Sequence, residues 1–304
     1  MTALPIKTAE PVALSARRLT WRRVCGHKGL MFGAIVLALI VALALLAPLI
    51  APYDPYQGGL SRRRIPPVWH AWFYDHPKAG WTYILGTDRL GRDYLSRLIH
   101  GSQISLMIGV SAMIVSGLIG TTLGVLAGYF GGKVDMVVSF FVTTRLSLPV
   151  VLVALAVVAL TGSSLLVLIL VLGLLLWDRF AVVMRAATQQ ARSQDYVTAG
   201  RAIGCSTPYL LLREILPNVL NPLIVVATIE MANAILLEAA LSFLGLGVRP
   251  PQPAWGLMLA EAKEDIFFNT WMIALPGIAL FLLVLSINLL GDGVRDVTAP
   301  ENRN

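Results

Sequence analysis

Long uncharged apolar runs constrain this chain more than any other feature of its sequence. A helix rises about 1.5 Å per residue, so roughly 20 apolar residues cross the ~30 Å hydrocarbon core of a bilayer. Charged residues make up only 13% of the chain, whereas a soluble domain carries about a quarter. The sequence therefore predicts an all-α, polytopic membrane protein.

Six membrane-spanning helices are predicted from these runs. The third contains Arg145 and Pro149, and a Thr-Gly-Ser-Ser turn at residues 161–164 separates it from the fourth. The predicted spans cover residues 30–51, 104–129, 134–160, 165–184, 220–246 and 271–290.

The basic residues predict how the chain is oriented. Six of them precede the first span, which places the N-terminus in the cytosol by the positive-inside rule, and six spans then bring the C-terminus back there. The net charge of +7 is attributed to topology and lipid head groups, not to nucleic acid.

Four regions follow from this topology. Residues 1–28 form a cytosolic tail with an interfacial amphipathic helix near residues 14–24. Residues 29–103 hold the first span and a long extracytoplasmic loop. Residues 104–295 form the transmembrane core with a cytosolic loop at 186–218, and residues 296–304 form a cytosolic tail.

The cytosolic loop is predicted to fold into a helix-turn-helix. Ser193 is predicted to cap a helix over residues 194–203, with Gly204 in a left-handed conformation at its end. Thr207 is predicted to start a second short helix that closes before Pro217. Such a unit could transmit force from a soluble partner, or it could fold only to satisfy its backbone hydrogen bonds.

The same loop resembles the EAA loop of bacterial ABC importer permeases. Residues 195–204 read Asp-Tyr-Val-Thr-Ala-Gly-Arg-Ala-Ile-Gly, and residues 214–218 read Glu-Ile-Leu-Pro-Asn. Thr-Ala-Gly replaces the Glu-Ala-Ala that names the motif, and Glu214 stands where isoleucine is usual. Ala199, Gly204, Leu216 and Pro217 match.

Three further stretches are similar to the C-type permease of dipeptide, oligopeptide and nickel importers. They are Leu-Gly-Thr-Asp-Arg-Leu-Gly-Arg-Asp at residues 85–93 with residues 95–98, Phe-Leu-Gly-Leu-Gly at 243–247 with Pro-Pro at 250–251 and Trp-Gly at 255–256, and Leu-Gly-Asp-Gly-Val-Arg-Asp at 290–296. The resemblance covers nearly the whole chain beyond residue 28.

This resemblance implies a type I ABC importer permease fold in the bacterial cytoplasmic (inner) membrane. It implies a subunit that forms half of a pathway for di- or oligopeptides and couples to a separate ATPase through residues 193–217. The implied partners are a homologous B-type permease, two cytosolic ABC ATPases, an extracytoplasmic solute-binding protein and membrane lipid. The implied coupling residues are Asp195, Ala199, Gly200, Gly204, Glu214, Leu216 and Pro217.

No catalytic, cofactor or metal site is predicted in this chain. Gly131-Gly132-Lys133 precedes valine instead of the Ser or Thr that a phosphate-binding loop needs, so ATP and Mg²⁺ are expected on the partner subunits. An HExxH motif is absent, which disfavours a membrane-embedded enzyme. The four histidines (His27, His70, His76 and His100) lie outside the spans without metal-ligand spacing, although import of nickel or another small solute stays open as an alternative.

Several charged residues lie inside the predicted spans, where charge is costly. Arg145 and Asp178 fall at similar depth in a hairpin that turns near residue 162, which predicts an ion pair near the cytosolic interface; separate snorkelling to water is the alternative. Glu230 and Glu238 share the fifth span. Either could face the solute pathway, or could satisfy a donor on the backbone or on a partner chain.

Overall fold

The structure is a computed structural model that describes residues 24–73 and 77–298. Regular secondary structure within these ranges is entirely helical. The interfacial helix predicted at residues 14–24 lies outside the described residues except for Val24. Most of the C-terminal tail and His76 also lie outside them.

Thirteen α-helices are numbered here along the described chain. They are α1 (Lys28–Leu45), α2 (Ala47–Ile50), α3 (Trp69–Phe73), α4 (Tyr94–Phe130), α5 (Gly132–Leu146), α6 (Val150–Thr161), α7 (Leu165–Leu175), α8 (Trp177–Arg192), α9 (Asp195–Ala202), α10 (Thr207–Tyr209), α11 (Leu220–Phe243), α12 (Trp255–Ala262) and α13 (Trp271–Thr298). Short 3₁₀ turns lie at Leu60–Arg62, Trp81–Tyr83, Leu216–Val219 and Lys263–Asp265, and a π-helical turn lies at Leu210–Ile215.

The helices confirm an all-α polytopic membrane fold. Five helical segments of the described chain are long and apolar enough to cross a bilayer, and the number is six if a bent pair counts as one span. The five are α1, α4, Leu165–Arg192, Thr207–Phe243 and α13. The predicted number of spans therefore matches the upper count.

The predicted third span is not one straight helix. It divides into α5 and α6, which meet at an angle of 83°. The break lies at residues 147–149, where Pro149 has extended backbone dihedrals and caps α6. Proline cannot donate a backbone hydrogen bond and disfavours helical geometry in the residue before it, so the chain turns sharply here.

Other predicted spans also differ from the structure at their ends. The second begins at Tyr94 instead of residue 104, because Asp93 caps its first turn by accepting a hydrogen bond from the Ser96 backbone N–H at 2.7 Å. The fourth continues to Arg192 with a break at Leu176, and the sixth continues to Thr298.

The first and last spans pack side by side in opposite directions. A Cβ on Gly33 would lie 2.7 Å from the Ser286 carbonyl oxygen, so glycine permits this close approach. At the same end of the bundle, His27 Nε2 lies 3.1 Å from Asp296 Oδ2. The start of α1 and the end of α13 therefore lie on one side of the membrane; that this side is cytosolic remains a prediction.

Candidate functional site

The predicted coupling segment begins with a short exposed helix, α9. Its N-cap is Gln194, so the prediction of a Ser193 cap is wrong: the Ser193 hydroxyl donates to the Gln190 carbonyl instead. Gly204 lies just beyond the helix at φ +84°, which confirms the predicted left-handed end. Glycine adopts this conformation at little cost because it has no Cβ.

The second half of this segment differs from the prediction. Ser206, not Thr207, is the N-cap of α10. The predicted closure before Pro217 is also wrong, because α10, the π-helical turn and the 3₁₀ turn lead directly into α11 as one helical segment from Thr207 to Phe243. Pro217 lies inside this segment, just after the π-helical turn gives way to the 3₁₀ turn.

The core-facing side of α9 is tied to three membrane helices. Val197 is fully buried in a cluster that includes Tyr129 at the end of α4, Met184 of α8, and Val219 just before α11. The guanidinium of Arg201 lies 5.0 Å from the centre of the Tyr129 ring, a cation–π distance. The core-facing side of α9 is therefore packed against all three helices.

The residues named for coupling lie on both faces of this segment. Asp195, Ala199, Gly204 and Pro217 are exposed, whereas Gly200, Glu214 and Leu216 are half-buried. A Cβ on Gly200 would lie 2.8 Å from Leu210 Cδ2, so Gly200 lets α9 pack closely on the chain that follows it.

The structure brings Arg145 and Asp178 together. Arg145 Nη2 lies 3.9 Å from Asp178 Oδ1, and the same nitrogen donates a shorter hydrogen bond to the Leu175 carbonyl at the break between α7 and α8. Both side chains are largely buried. The predicted partners thus lie at the long end of ion-pair distance, and the Leu175 carbonyl is the nearer acceptor for Arg145.

Glu230 and Glu238 are both fully buried but have different neighbours. Glu230 Oε1 accepts from Arg179 Nη1 and from Asn233 Nδ2, each at 3.1 Å. Glu238 Oε1 accepts from the Ser242 hydroxyl at 2.6 Å and lies beneath Gly256 of α12. Glu230 is therefore part of a charged cluster, whereas Glu238 lies among packed helices.

A buried ionic cluster beside α12 escaped the sequence analysis. Arg97 is wholly buried at the start of α4; its Nη1 donates to Asp88 and lies 2.8 Å from Glu261 Oε2. Arg92 Nε lies 2.6 Å from Asp88 Oδ2, and its Nη2 lies 3.1 Å from Glu261 Oε1. This cluster, which we call the outer ionic cluster after the predicted topology, joins the loop before α4 to α12.

The Leu-Gly-Thr-Asp-Arg-Leu-Gly-Arg-Asp motif builds the outer ionic cluster. Gly86 and Gly91 have φ of +76° and +75°, and a Cβ on either would lie within 2.3 Å of a backbone oxygen in residues 59–65. Asp88 Oδ1 accepts from the backbone N–H groups of Leu90 and Arg92 at 2.8 and 2.9 Å. In the sequence, the cluster could have been recognised from the four-residue spacing of Asp88 and Arg92 and from Arg97, which lies among apolar residues.

The pKa of Asp88 reflects this setting. Burial alone would raise it, but the Arg97 guanidinium, the Arg92 backbone N–H and the Arg92 guanidinium together hold the pKa below its ordinary value of 3.8. The carboxylate therefore stays ionised in the folded protein at pH values where the unfolded chain protonates it.

Acid is expected to weaken the protein through Asp88. The stability that this carboxylate contributes is complete above about pH 4 and is lost as the pH falls through the lower folded-state pKa. Thermal unfolding of the detergent-solubilised protein between about pH 5 and 3 should show a shallower fall in Asp88→Asn than in the wild type. Equal slopes in the two proteins would contradict this assignment.

Comparison with known proteins identifies two matching families. The family described as the binding-protein-dependent transport system inner membrane component matches residues 120–304. The N-terminal transmembrane domain of oligopeptide transport permease C matches residues 15–67. Between them, the two matches include the coupling segment and the first span.

Individual relatives are similar over nearly their whole length. The chain is 41% identical over 284 residues to the di/tripeptide transport system permease protein DppC of Pseudomonas aeruginosa, covering 93% of this chain and 92% of the relative. It is 36% identical over 275 residues to the dipeptide transport system permease protein DppC of Haemophilus influenzae, covering 90% and 91%.

A solved structure shares the fold. A chain of the MetNI methionine ABC transporter in an inward-facing conformation aligns with a TM-score of 0.56 at 21% sequence identity, covering 67% of this chain and 97% of that one. This likeness concerns the arrangement of helices alone.

Proposed function

This chain belongs to the family of inner membrane components of binding-protein-dependent transport systems, and we propose that it forms half of an importer pathway for di- or oligopeptides. It is a multi-pass protein of the inner membrane. Its relatives in Pseudomonas aeruginosa and Haemophilus influenzae are named as peptide permeases, at 41% and 36% identity. These names favour a peptide over nickel as the solute.

The packing of α9 supports the proposal that a soluble partner protein moves the membrane helices of this subunit by binding to α9. One face of α9 is exposed, and on its other side Val197 and Arg201 contact the ends of membrane helices. We therefore expect a force applied to α9 by a partner to reach those helices. Ile203 and Leu212 are 80% and 64% exposed beside it, apolar surface suited to a protein partner. The proposed partner is an ABC ATPase docked on this segment.

ATP hydrolysis is proposed to take place on two separate cytosolic ATPase subunits that bind ATP and Mg²⁺. This chain itself would bind no cofactor and would act as a permease without catalytic residues. The remaining proposed partners are a homologous B-type permease, which completes the pathway, and an extracytoplasmic binding protein, which delivers the peptide. Among the described residues, no group of three His, Cys, Asp or Glu side chains is placed to hold a metal ion.

Gly204→Val tests the coupling role of α9. Gly204 has φ +84° with no atom within 4 Å of an added Cβ, so the substitution strains the backbone without a clash. In a peptide auxotroph that expresses the complete transporter, we expect dipeptide uptake to fall about tenfold or more while the complex still assembles, equivalent to roughly 1.4 kcal/mol.

Gly245→Val is the matched control for backbone strain. Gly245 also follows a helix, with φ +83° and open space, but at the far end of α11 from the coupling segment. Uptake in this variant should stay near the wild-type rate. Normal uptake by Gly204→Val in an assembled complex would contradict the coupling role of α9. Absence of dipeptide uptake by the wild type would contradict the proposal that the solute is a peptide.

A further inference from the structure

Arg179 and Glu230 form an ion pair inside the membrane region. Each lies about 20 Å along its helix from the predicted outer end, counted from Leu165 or Phe243, within a hydrocarbon core of ~30 Å. Glu230 is fully buried, yet 56% of the Arg179 side chain is exposed. A guanidinium exposed to lipid at this depth costs several kcal/mol, so this surface faces water or another protein.

The pair retains unused hydrogen-bonding capacity. Glu230 Oε1 accepts from both Arg179 and Asn233, whereas the buried Oε2 has no hydrogen-bond partner among the described residues. Arg179 contacts Glu230 through Nη1, and a guanidinium carries five N–H donors. A carboxylate oxygen without a partner is costly in a buried site and suits a ligand that donates a hydrogen bond.

Two cavities meet at Arg179. One, of about 670 Å³, is lined by Arg179 and Glu230 and reaches Arg295 and Thr298 at the end of α13. The other, of about 410 Å³, is lined by Arg179 with Arg145, Asp178 and Asn233. Each falls within the usual volume range of small-molecule sites.

Two helix breaks lie at the second cavity. Arg145 and Leu146 end α5 just before the 83° bend, and Leu176 separates α7 from α8. The Leu175 carbonyl freed by that break accepts from Arg145. Interrupted helices at membrane depth are tolerated where they are buried in protein or line an aqueous cavity.

We propose that Glu230 and Arg179 form a contact site for the charged ends of a peptide within the pathway, a proposal that rests on the peptide-import function above. The Glu230 carboxylate accepts the peptide ammonium, and the Arg179 guanidinium binds the peptide carboxylate. The arriving ammonium replaces Arg179 as the partner of Glu230, which frees Arg179 for the carboxylate. No charge is left unpaired in a site where an uncompensated charge is costly.

Glu230→Gln tests this site in the complete transporter, reconstituted in proteoliposomes with its binding protein outside and ATP inside. The probe is radiolabelled L-alanyl-L-alanine. We expect its uptake rate to fall about tenfold, equivalent to roughly 1.4 kcal/mol, because a charge-assisted hydrogen bond is lost. Binding-protein-stimulated ATP hydrolysis should stay within about twofold of the wild type.

A second ion pair on α8 supplies the control. Arg185 Nη2 lies 2.7 Å from Asp135 Oδ2, outside both cavities, and Asp135→Asn should leave uptake within about twofold. The double variant Arg179→Gln with Glu230→Gln separates a contact from a structural pair. A contact site predicts that uptake stays low; recovery of uptake, or a parallel loss of ATP hydrolysis in Glu230→Gln, would overturn the proposal.

Thiol labelling tests the site without any peptide. In a complex whose chain has Cys25 and Cys205 replaced by serine, Ile229→Cys is placed at the larger cavity and Ile235→Cys is placed at a 1% exposed position of the same helix. A cationic methanethiosulfonate should modify the first and spare the second. Equal protection of both would overturn the site even if the wild type imports peptides. If the labelling is as expected but the wild type takes up no dipeptide, the cavity is accessible but the proposal that the solute is a peptide is overturned, and with it the ligand assigned to this site.

Discussion

Replacing Arg97 by methionine is expected to lower the free energy of unfolding by about 3–5 kcal/mol, because Arg92 then faces the buried Asp88 and the half-buried Glu261 alone, and one negative charge of the cluster is left uncompensated. Arg97 is wholly buried and lies against both Asp88 and Glu261, which come from the loop before α4 and from α12. Methionine fills a similar volume, so the loss is one of charge more than of packing. Unfolding of the purified protein in mixed detergent and SDS micelles measures the change.

Arg89→Met is the comparison for this prediction. Arg89 lies 2.6 Å from Glu264 Oε2 near the same loop, but its side chain is 37% exposed and that of Glu264 is 72% exposed. An exposed pair contributes about 0–1 kcal/mol. Arg89 Nε also lies 3.5 Å from the buried Asp265, but that carboxylate keeps Arg64 at 3.0 Å, so this variant should unfold close to the wild type. Equal effects of the two substitutions would show that the outer ionic cluster does not depend on the buried guanidinium.

Span number was predictable from the sequence because uncharged length is a local property. The six apolar runs correspond to the five segments and one bent pair of the structure. The bend itself was missed although Pro149 was visible, because a proline within an apolar run can end a helix or only kink it. Packing of α5 and α6 on different neighbours decides between the two outcomes.

Helix ends were less predictable than helix centres. Asp93 starts α4 well before the apolar run, since a side-chain cap and the buried Arg97 extend the helix through polar residues. Hydropathy places the boundary where charge begins, and here the charge is compensated by Glu261, which lies far away in the sequence. A single sequence does not reveal such a distant partner.

The coupling segment combines both cases. Gly204 was placed correctly, because a glycine after a short helical run is a local signal for a left-handed residue. The continuation of the chain through Pro217 into α11 was missed, because burial of Ile215 and Val219 holds that segment helical. The Arg179–Glu230 pair was also missed, since Glu230 was considered without its partner on α8.

The contact between α4 and α8 supports the second large prediction. A Cβ on Gly120 would lie 2.2 Å from the Trp177 carbonyl oxygen and 2.5 Å from Phe180 Cβ, and Gly124 and Gly128 repeat this close approach along the helix. Gly120→Ala is therefore expected to force the helices apart and to lower the free energy of unfolding by about 3 kcal/mol. The same micelle titration measures it.

Gly277→Ala isolates the packing cost from helix propensity. Alanine favours a helix over glycine by about 1 kcal/mol, so on propensity alone both substitutions should stabilise the protein. At Gly277 of α13 the nearest atom to an added Cβ is Leu259 Cδ2 at 3.9 Å, an ordinary contact distance, so this variant should be neutral or more stable. If Gly120→Ala lowers the free energy of unfolding and Gly277→Ala does not, the loss comes from the α4–α8 contact. If Gly120→Ala is as stable as the wild type, the two helices can move apart without loss of stability.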